Sequence, residues 1–93
     1  MNYELEFLEE ALAEWKRLDG SIKEQFKKKL TERLAEPRVP SAKLSGHSDR
    51  YKIKLRSVGY RLVYEVLDGR LIVLVVAVGK RDKNAAYKAA ESR

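Results

Sequence analysis

Apolar and polar residues alternate with a period of two in residues 50–56, which predicts a β-strand whose side chains point to opposite faces of a sheet. The apolar face carries Tyr51, Ile53 and Leu55, and the other face carries Lys52, Lys54 and Arg56. Residues 60–67 form the next predicted strand and add Arg61. Because no Asp or Glu lies between Arg50 and Arg61, this stretch predicts a surface of concentrated positive charge.

The same periodicities predict the other elements of a small α+β fold. Residues 2–7 alternate and indicate a half-buried first strand. Apolar residues recur at helical spacing in residues 8–19 and again from Ile22 to Leu34, which predicts two amphipathic helices joined as a hairpin. Residues 83–92 form a short, Ala-rich final helix. Since such a helix buries little apolar area, we expect it to be loosely docked.

Residues 70–78 form the most apolar segment and do not alternate. A strand of this kind is covered on both faces and lies inside a sheet. It would nevertheless be an edge of the three-strand meander formed by residues 50–56, 60–67 and 70–78. We therefore expect the first strand to pair with its free side, and the helical hairpin to cover one face of the sheet.

Turn residues indicate where these elements begin and end. Gly20 is expected to stop the first helix, and Ser21 to Glu24 to begin the second with a capping box. Residues 37–48 form a predicted loop, which includes His47, a plain loop residue in this interpretation. Asp68-Gly69 predicts a two-residue hairpin.

Length and composition limit the class of protein. The chain has 93 residues, 44% hydrophobic, and no Cys, which predicts one folded domain, residues 1–93, without disulfides or thiolate metal ligands. No apolar segment approaches the length of a membrane span and no signal-peptide pattern follows Met1, so we expect a cytoplasmic protein without a membrane partner. The net charge of +6 favours a polyanionic partner.

Several motifs together resemble the RelE toxins of bacterial RelBE-type toxin–antitoxin systems. They are residues 11–18 (ALAEWKRL), 51–57 (YKIKLRS), 59–64 (GYRLVY), 78–81 (VGKR) and Tyr87. The resemblance implies an α+β, microbial-RNase-like fold with a helical hairpin on an antiparallel sheet. It also implies an endoribonuclease that cuts mRNA in the A site of the 70S ribosome and is neutralised by a cognate RelB-like antitoxin. The family's functional residues correspond here to Lys52, Lys54, Arg61, Arg81 and Tyr87.

The chemistry of RNA cleavage is consistent with these residue types. Without a metal or other cofactor, a base must take the 2′-OH proton, cations must stabilise the phosphate, and an acid must protonate the 5′-oxygen. The chain has one His, which excludes a cleavage mechanism that uses two histidines. Crowded cations lower a lysine pKa, so Lys52 or Lys54 is a candidate for proton transfer. Arg61 and Arg81 suit phosphate binding, and Tyr87 could orient the 2′-OH, transfer a proton or stack on a base.

Other basic residues are candidates for supporting contacts with RNA. They are Arg56, Lys80, Lys27, Lys28 and Lys29. Each has a plainer interpretation, since lysines protect edge strands from aggregation and cover solvated helix faces. The whole basic surface could also belong to a non-catalytic module that binds nucleic acid or the ribosome. A toxin of a related fold that acts on gyrase is a third class, disfavoured by the Lys, Arg and Tyr set.

Overall fold

The computed structural model describes residues 2–46 and 49–93, and His47 lies outside this part of the chain. The strands and α-helices of the described residues are β1 (Glu4–Phe7), α1 (Glu9–Lys16), α2 (Gly20–Ala35), β2 (Arg50–Leu55), β3 (Tyr60–Leu67), β4 (Ile72–Lys80) and α3 (Ala85–Glu91). Short 3-10 helices lie at Pro40–Ala42, Asp68–Arg70 and Asp82–Asn84. No helix within the described ranges has the length and hydropathy needed to cross a membrane.

The sheet has the order β1-β4-β3-β2. β2, β3 and β4 form the predicted antiparallel meander, and β1 pairs with the free side of β4, as expected from the apolar character of β4. That pairing is parallel, so the sheet is mixed and not wholly antiparallel. The predicted α+β architecture is confirmed. With β1 added beside β4, β2 is the last strand at one edge of the sheet.

Two hydrophobic clusters, one on each face of the sheet, explain why β4 is apolar throughout. The first packs α1 and α2 on one face. Its buried members include Ile22, Phe26, Leu30, Ile53, Leu62, Tyr64 and Val75. The second packs α3 on the opposite face. Its buried members are Val63, Val76, Ala77, Ala86 and Ala90. Val63 pairs with Ala77 and Tyr64 with Val75, so Val76 is an extra residue at a β-bulge. The bulge lets two adjacent β4 residues join the second cluster.

The boundary between α1 and α2 differs from the prediction. The amides of Arg17 and Leu18 donate to carbonyls of α1, which closes the helix before Gly20. Gly20 is instead the first residue of α2, whose N-cap is Asp19 and has no side-chain capping bond. The predicted glycine stop and the capping box at Ser21 are therefore wrong, because a tight turn already ends α1 without needing a left-handed residue.

The predicted two-residue hairpin at Asp68-Gly69 is also wrong. A 3-10 helix spans Asp68–Arg70, and Leu71 adopts the left-handed conformation with φ 53°. The Asp68 carboxylate accepts hydrogen bonds from the Tyr3 hydroxyl and the Arg38 guanidinium. These contacts with distant residues favour the longer connection, since a local turn signal does not include them.

Helix α3 is docked on the second face through small side chains and arginine contacts. Ala86 and Ala90 are each 1% exposed. Arg50 Nη1 donates to the Ala90 carbonyl at 2.6 Å, and the guanidinium of Arg93 binds both carboxylate oxygens of Glu14 at 2.9 Å. These polar contacts supplement the small apolar area that the sequence predicts, while the looseness of the docking stays a prediction.

Candidate active site

The face of the sheet that binds α3 also carries the predicted cations of β2 and β3. Lys54 lies directly opposite Arg61, and Arg61 lies opposite Gly79. Lys52 lies opposite Val63, which packs against α3. Directly opposite residues of neighbouring strands share a face, so Lys52, Lys54 and Arg61 form one group, here called the cationic face.

Gly79 allows α3 to begin close to this face. A Cβ atom at Gly79 would lie 3.1 Å from the Ala86 nitrogen and 3.2 Å from the Ala85 Cβ. These distances are shorter than ordinary van der Waals contacts, so any larger residue would push on the first turn of α3. That helix carries Tyr87, which is partly buried against the second hydrophobic cluster. Gly79 therefore helps to set the position of Tyr87 on the face that carries Lys54 and Arg61.

Replacing Gly79 with alanine is expected to destabilise the protein by about 1 kcal/mol, because the added methyl overpacks the start of α3. Cleavage activity should fall with it, since Tyr87 moves with the helix. Urea denaturation followed by circular dichroism measures the stability. Gly20→Ala is the matched control, because a Cβ there meets nothing within 4 Å. An unfolding midpoint for Gly79→Ala equal to that of the control would contradict this account of the contact.

Arg81 lies at the end of β4, near the turn between β2 and β3. Its backbone N–H donates to the Gly59 carbonyl at 2.6 Å. A polar cavity of about 460 Å³ opens at this end of the sheet. It is lined by Arg56, Lys80 and Arg81, by residues 57–60, and by Asp19, Ile22 and Asp82. Its three cations can bind an anion such as phosphate, and its two carboxylates limit the excess of positive charge.

A second cavity, of about 270 Å³, contains the two lysines of β2. Its lining residues are Arg33, Ser41, Ala42, Lys52, Lys54 and Arg56. Arg56 lines both cavities, so it lies between the lysines and Arg81. The sequence predicts a supporting role for Arg56, which stays a prediction, and its place on the lining of both cavities is consistent with that role.

The structure separates the remaining basic candidates from the cationic face. Lys27, Lys28 and Lys29 belong to α2, which covers the opposite face of the sheet. Lys27 pairs with Glu24 at 3.5 Å, both well exposed, and the other two line a groove of about 620 Å³. Lys80 lies opposite Tyr60 in the β3–β4 register, one residue away from the pair of Arg61 and Gly79. Its side chain therefore points to the other face of the sheet from Arg61.

The crowding of cations has an electrostatic consequence at Lys54. The positive charge of Lys52 lowers the Lys54 pKa, and partial desolvation and the charges of Arg61 and Arg56 lower it further. The ion pairs found among residues 2–46 and 49–93 do not include these four residues. A lowered pKa makes the neutral amine, the form that accepts a proton, more accessible near neutral pH. This direction agrees with the expectation that crowded cations lower a lysine pKa in this cluster.

Arg33 is a contributor that the sequence analysis missed. Its Nη1 donates to the Lys52 carbonyl at 3.1 Å and to the Tyr64 hydroxyl at 2.9 Å. A signal was present, because Arg33 follows Phe26 by seven residues and Leu30 by three, on the inward face of α2. A charged residue at an inward helical position needs a polar partner. The sequence could not show that this partner is the strand of the two lysines.

Within the described residues, no group of three or more His, Cys, Asp or Glu side chains is arranged to hold a metal ion. The polar groups that surround the two cavities are mainly amines, guanidiniums and hydroxyls. Such groups bind and polarise phosphate oxygens directly. The cationic face, the cavity at Arg81 and the helix carrying Tyr87 are thus arranged for a polyanion.

Comparison with known proteins places this chain in a class of toxins from toxin–antitoxin systems. The family model of the ParE toxin of type II toxin–antitoxin systems, parDE, matches residues 5–85. Because the match covers most of the chain, the class is that of the type II toxins.

Individual relatives narrow the assignment. The mRNA interferase toxin RelE of Escherichia coli strain K12 is 52% identical over 93 residues, which are 100% of this chain and 98% of the relative. An E. coli RelE variant with two arginines replaced by alanine, solved in the free state, has a TM-score of 0.92 and 50% identity, covering 100% of this chain and 98% of that one. The intact E. coli RelBE toxin–antitoxin complex has a TM-score of 0.84 and 53% identity, and the match covers 87% of this chain and 99% of that one. The chain belongs to the RelE toxin family, as its motifs predict.

Proposed function

We propose that this protein is an endoribonuclease toxin that cleaves mRNA in the A site of the 70S ribosome and thereby stops translation. The observation that supports this most directly is the cationic face, where Lys52, Lys54 and Arg61 lie together and Lys54 has a lowered pKa. A relative that is 52% identical is named an mRNA interferase toxin. The proposed site of action is the cytoplasm, where ribosomes translate.

The proposed reaction is an internal displacement at phosphorus. The 2′-oxygen attacks the adjacent phosphorus, the bond to the 5′-oxygen breaks, and the products are a 2′,3′-cyclic phosphate and a 5′-hydroxyl. Lys54, as the neutral amine, takes the 2′-OH proton, and the ammonium of Lys52 returns a proton to the leaving 5′-oxygen. Arg61 and Arg81 stabilise the charge on the phosphate oxygens. Tyr87 orients the 2′-OH or stacks on a neighbouring base.

Arg56 supports this arrangement from between the two cavities. Lys80 lines the cavity at Arg81 and is proposed to contact the RNA backbone there. Lys27, Lys28 and Lys29 are proposed to contact rRNA phosphates from the exposed side of α2, outside the two cavities. Contacts of this kind are electrostatic and weaken as the salt concentration rises.

The proposed partner that holds the toxin inactive is a cognate RelB-like antitoxin. Solved structures of E. coli RelE include its complex with RelB, and the present chain is 53% identical to that RelE chain. A cationic face without paired carboxylates among the described residues suits a partner segment that brings acidic side chains. Binding would then neutralise the charge that the reaction requires.

Cleavage is expected to depend on the ribosome, because less of a lysine than of a tuned His or Glu is in the base form near neutral pH. Holding the 2′-oxygen in line with the scissile bond can lower a barrier by about 7–11 kcal/mol, and the ribosome can impose that geometry. Primer extension should show cleavage of mRNA on programmed 70S ribosomes at least about 10³-fold faster than cleavage of the same mRNA alone. Equal rates would overturn the dependence. Ribosome stalling without 5′-hydroxyl ends would instead indicate a non-catalytic binding module.

A further inference from the structure

Arg33 is held in one orientation by a buried tyrosine. Its guanidinium carbon lies 5.8 Å from the centre of the Tyr64 ring, and its Nη1 donates to the Tyr64 hydroxyl at 2.9 Å. That hydroxyl donates in turn to the Pro37 carbonyl at 2.6 Å, and Tyr64 is 0% exposed. A planar guanidinium with two such contacts keeps little rotational freedom. Its other hydrogen bond, to the Lys52 carbonyl, therefore has a defined direction.

The hydrogen bond from Arg33 to the Lys52 carbonyl lies at the outer edge of β2. This strand is the last in the sheet order, and an edge strand presents unpaired carbonyls to its open side. The Leu44 amide donates to the Arg50 carbonyl at 2.9 Å, which shows that the Arg50 carbonyl points to that open side. Carbonyls two residues apart on a strand point the same way, and the Lys52 carbonyl is indeed the one that Arg33 reaches at 3.1 Å.

The outer edge of β2 is therefore supported in two places. An isolated bridge between Lys43 and Tyr51 covers its first part, and Arg33 covers Lys52. Arg33, Lys52 and Lys54 also line the same cavity. The contact from α2 thus stabilises the backbone where the lysines begin to project into that cavity.

We propose that Arg33 is a positioning residue for Lys52, acting through the Lys52 carbonyl. This inference rests on the proposed function, in which the Lys52 amine takes part in cleavage. Loss of the bond leaves the edge carbonyl to water and lets the strand shift. A misplacement of about 1 Å at a reacting group can reduce a rate about 10²-fold.

The test is a set of double-mutant cycles measured by cleavage of mRNA on programmed ribosomes. Arg33→Met is expected to lower kcat by about 10- to 100-fold and to change KM by less than about twofold, since it misplaces a reacting group and removes no ribosome contact. In a Lys52→Ala background the same substitution should lower kcat by no more than about threefold, because the amine that it positions is already absent. In an Arg81→Ala background its full effect should persist.

Arg33→Lys serves as the conservative variant. A lysine ammonium can still donate to one of the two acceptors, so kcat should recover to within about tenfold of the wild-type value. If Arg33→Met does not fold, as judged by circular dichroism, Arg33→Lys replaces it in the same cycles with a smaller expected factor. Arg38→Met is the matched control, because Arg38 forms ion pairs with Asp49 and Asp68 and does not line either cavity.

The outcomes separate the two levels of the proposal. If Lys52→Ala leaves kcat unchanged, the catalytic assignment of Lys52 is wrong. If Lys52→Ala lowers kcat but Arg33→Met does not, the positioning role is wrong and the proposed function stands. The same conclusion follows if Arg33→Met lowers kcat by the same factor in the wild-type and Lys52→Ala backgrounds. A loss of kcat in Arg38→Met equal to that in Arg33→Met would also overturn the positioning role, since it would reflect general destabilisation.

Discussion

Replacing Arg81 with alanine is expected to lower the rate of ribosome-dependent mRNA cleavage by about 10²–10³-fold, the loss typical of removing one group that stabilises developing charge. A guanidinium stays protonated at all accessible pH values and binds two phosphate oxygens at once. The backbone of Arg81 is anchored to Gly59, so the side chain projects from a fixed point into the polar cavity. Most of its contribution should appear in kcat, because the negative charge that it binds increases in the transition state.

Primer extension at saturating toxin measures the cleavage rate, and co-sedimentation with 70S ribosomes measures binding. Arg70→Ala is the matched control, since Arg70 is an exposed arginine in the 3-10 helix before β4, at the opposite end of that strand from Arg81. We expect binding to persist in both variants and cleavage to fall only in Arg81→Ala. A parallel loss of binding and cleavage would favour the non-catalytic binding module.

Replacing Lys54 with arginine is expected to reduce cleavage by about 10²–10⁴-fold, the usual contribution of a general base. The substitution keeps a positive charge on the cationic face and removes an amine that can lose its proton. A large loss would therefore identify proton transfer, and not charge alone, as the role of Lys54. Lys23→Arg on α2 is the matched control, because the Lys23 ammonium donates to the Lys16 carbonyl and Lys23 lines neither cavity.

The pH dependence of the rate tests the same assignment. The base form of Lys54 is the neutral amine, so the acidic limb of the pH–rate profile should rise with pH toward the Lys54 pKa. The neighbouring cations lower that pKa, which moves the rise to lower pH than for an ordinary lysine. Arg56→Gln removes one of those cations, so the rise should move to higher pH. A rate in Lys54→Arg equal to that of the wild type would limit Lys54 to an electrostatic role.

The predictable part of the site was the part that lies on one regular strand. Lys52 and Lys54 alternate with core residues, so the period-two pattern alone places them on a common face. The neighbouring strand adds Arg61, and the register shows that it lies directly opposite Lys54. Arg81 and Tyr87 follow from the resemblance to the RelE family, because neither a strand exit nor a short helix defines where its side chains meet a substrate.

The boundaries that were mispredicted depend on contacts outside the local pattern. Gly20 and Asp68-Gly69 are strong local turn signals, but tertiary contacts outweigh them. Leu18 and Ile22 are both largely buried, which fixes the short connection between α1 and α2. Asp68 bonds with Arg38 and Tyr3, and this network favours a longer connection between β3 and β4.

The sequence by itself determined the order of the elements, the apolar faces and the family, because these follow from hydrophobic periodicity and from motifs of adjacent residues. Only the tertiary structure decided that α3 packs closely on Gly79, that Arg56 lines two cavities, and that Arg33 supports the strand of Lys52. Each of these features joins residues from different elements, such as Arg33 and Lys52, which are 19 positions apart. Periodicity shows which face a side chain occupies, whereas its neighbours across a face depend on packing and register.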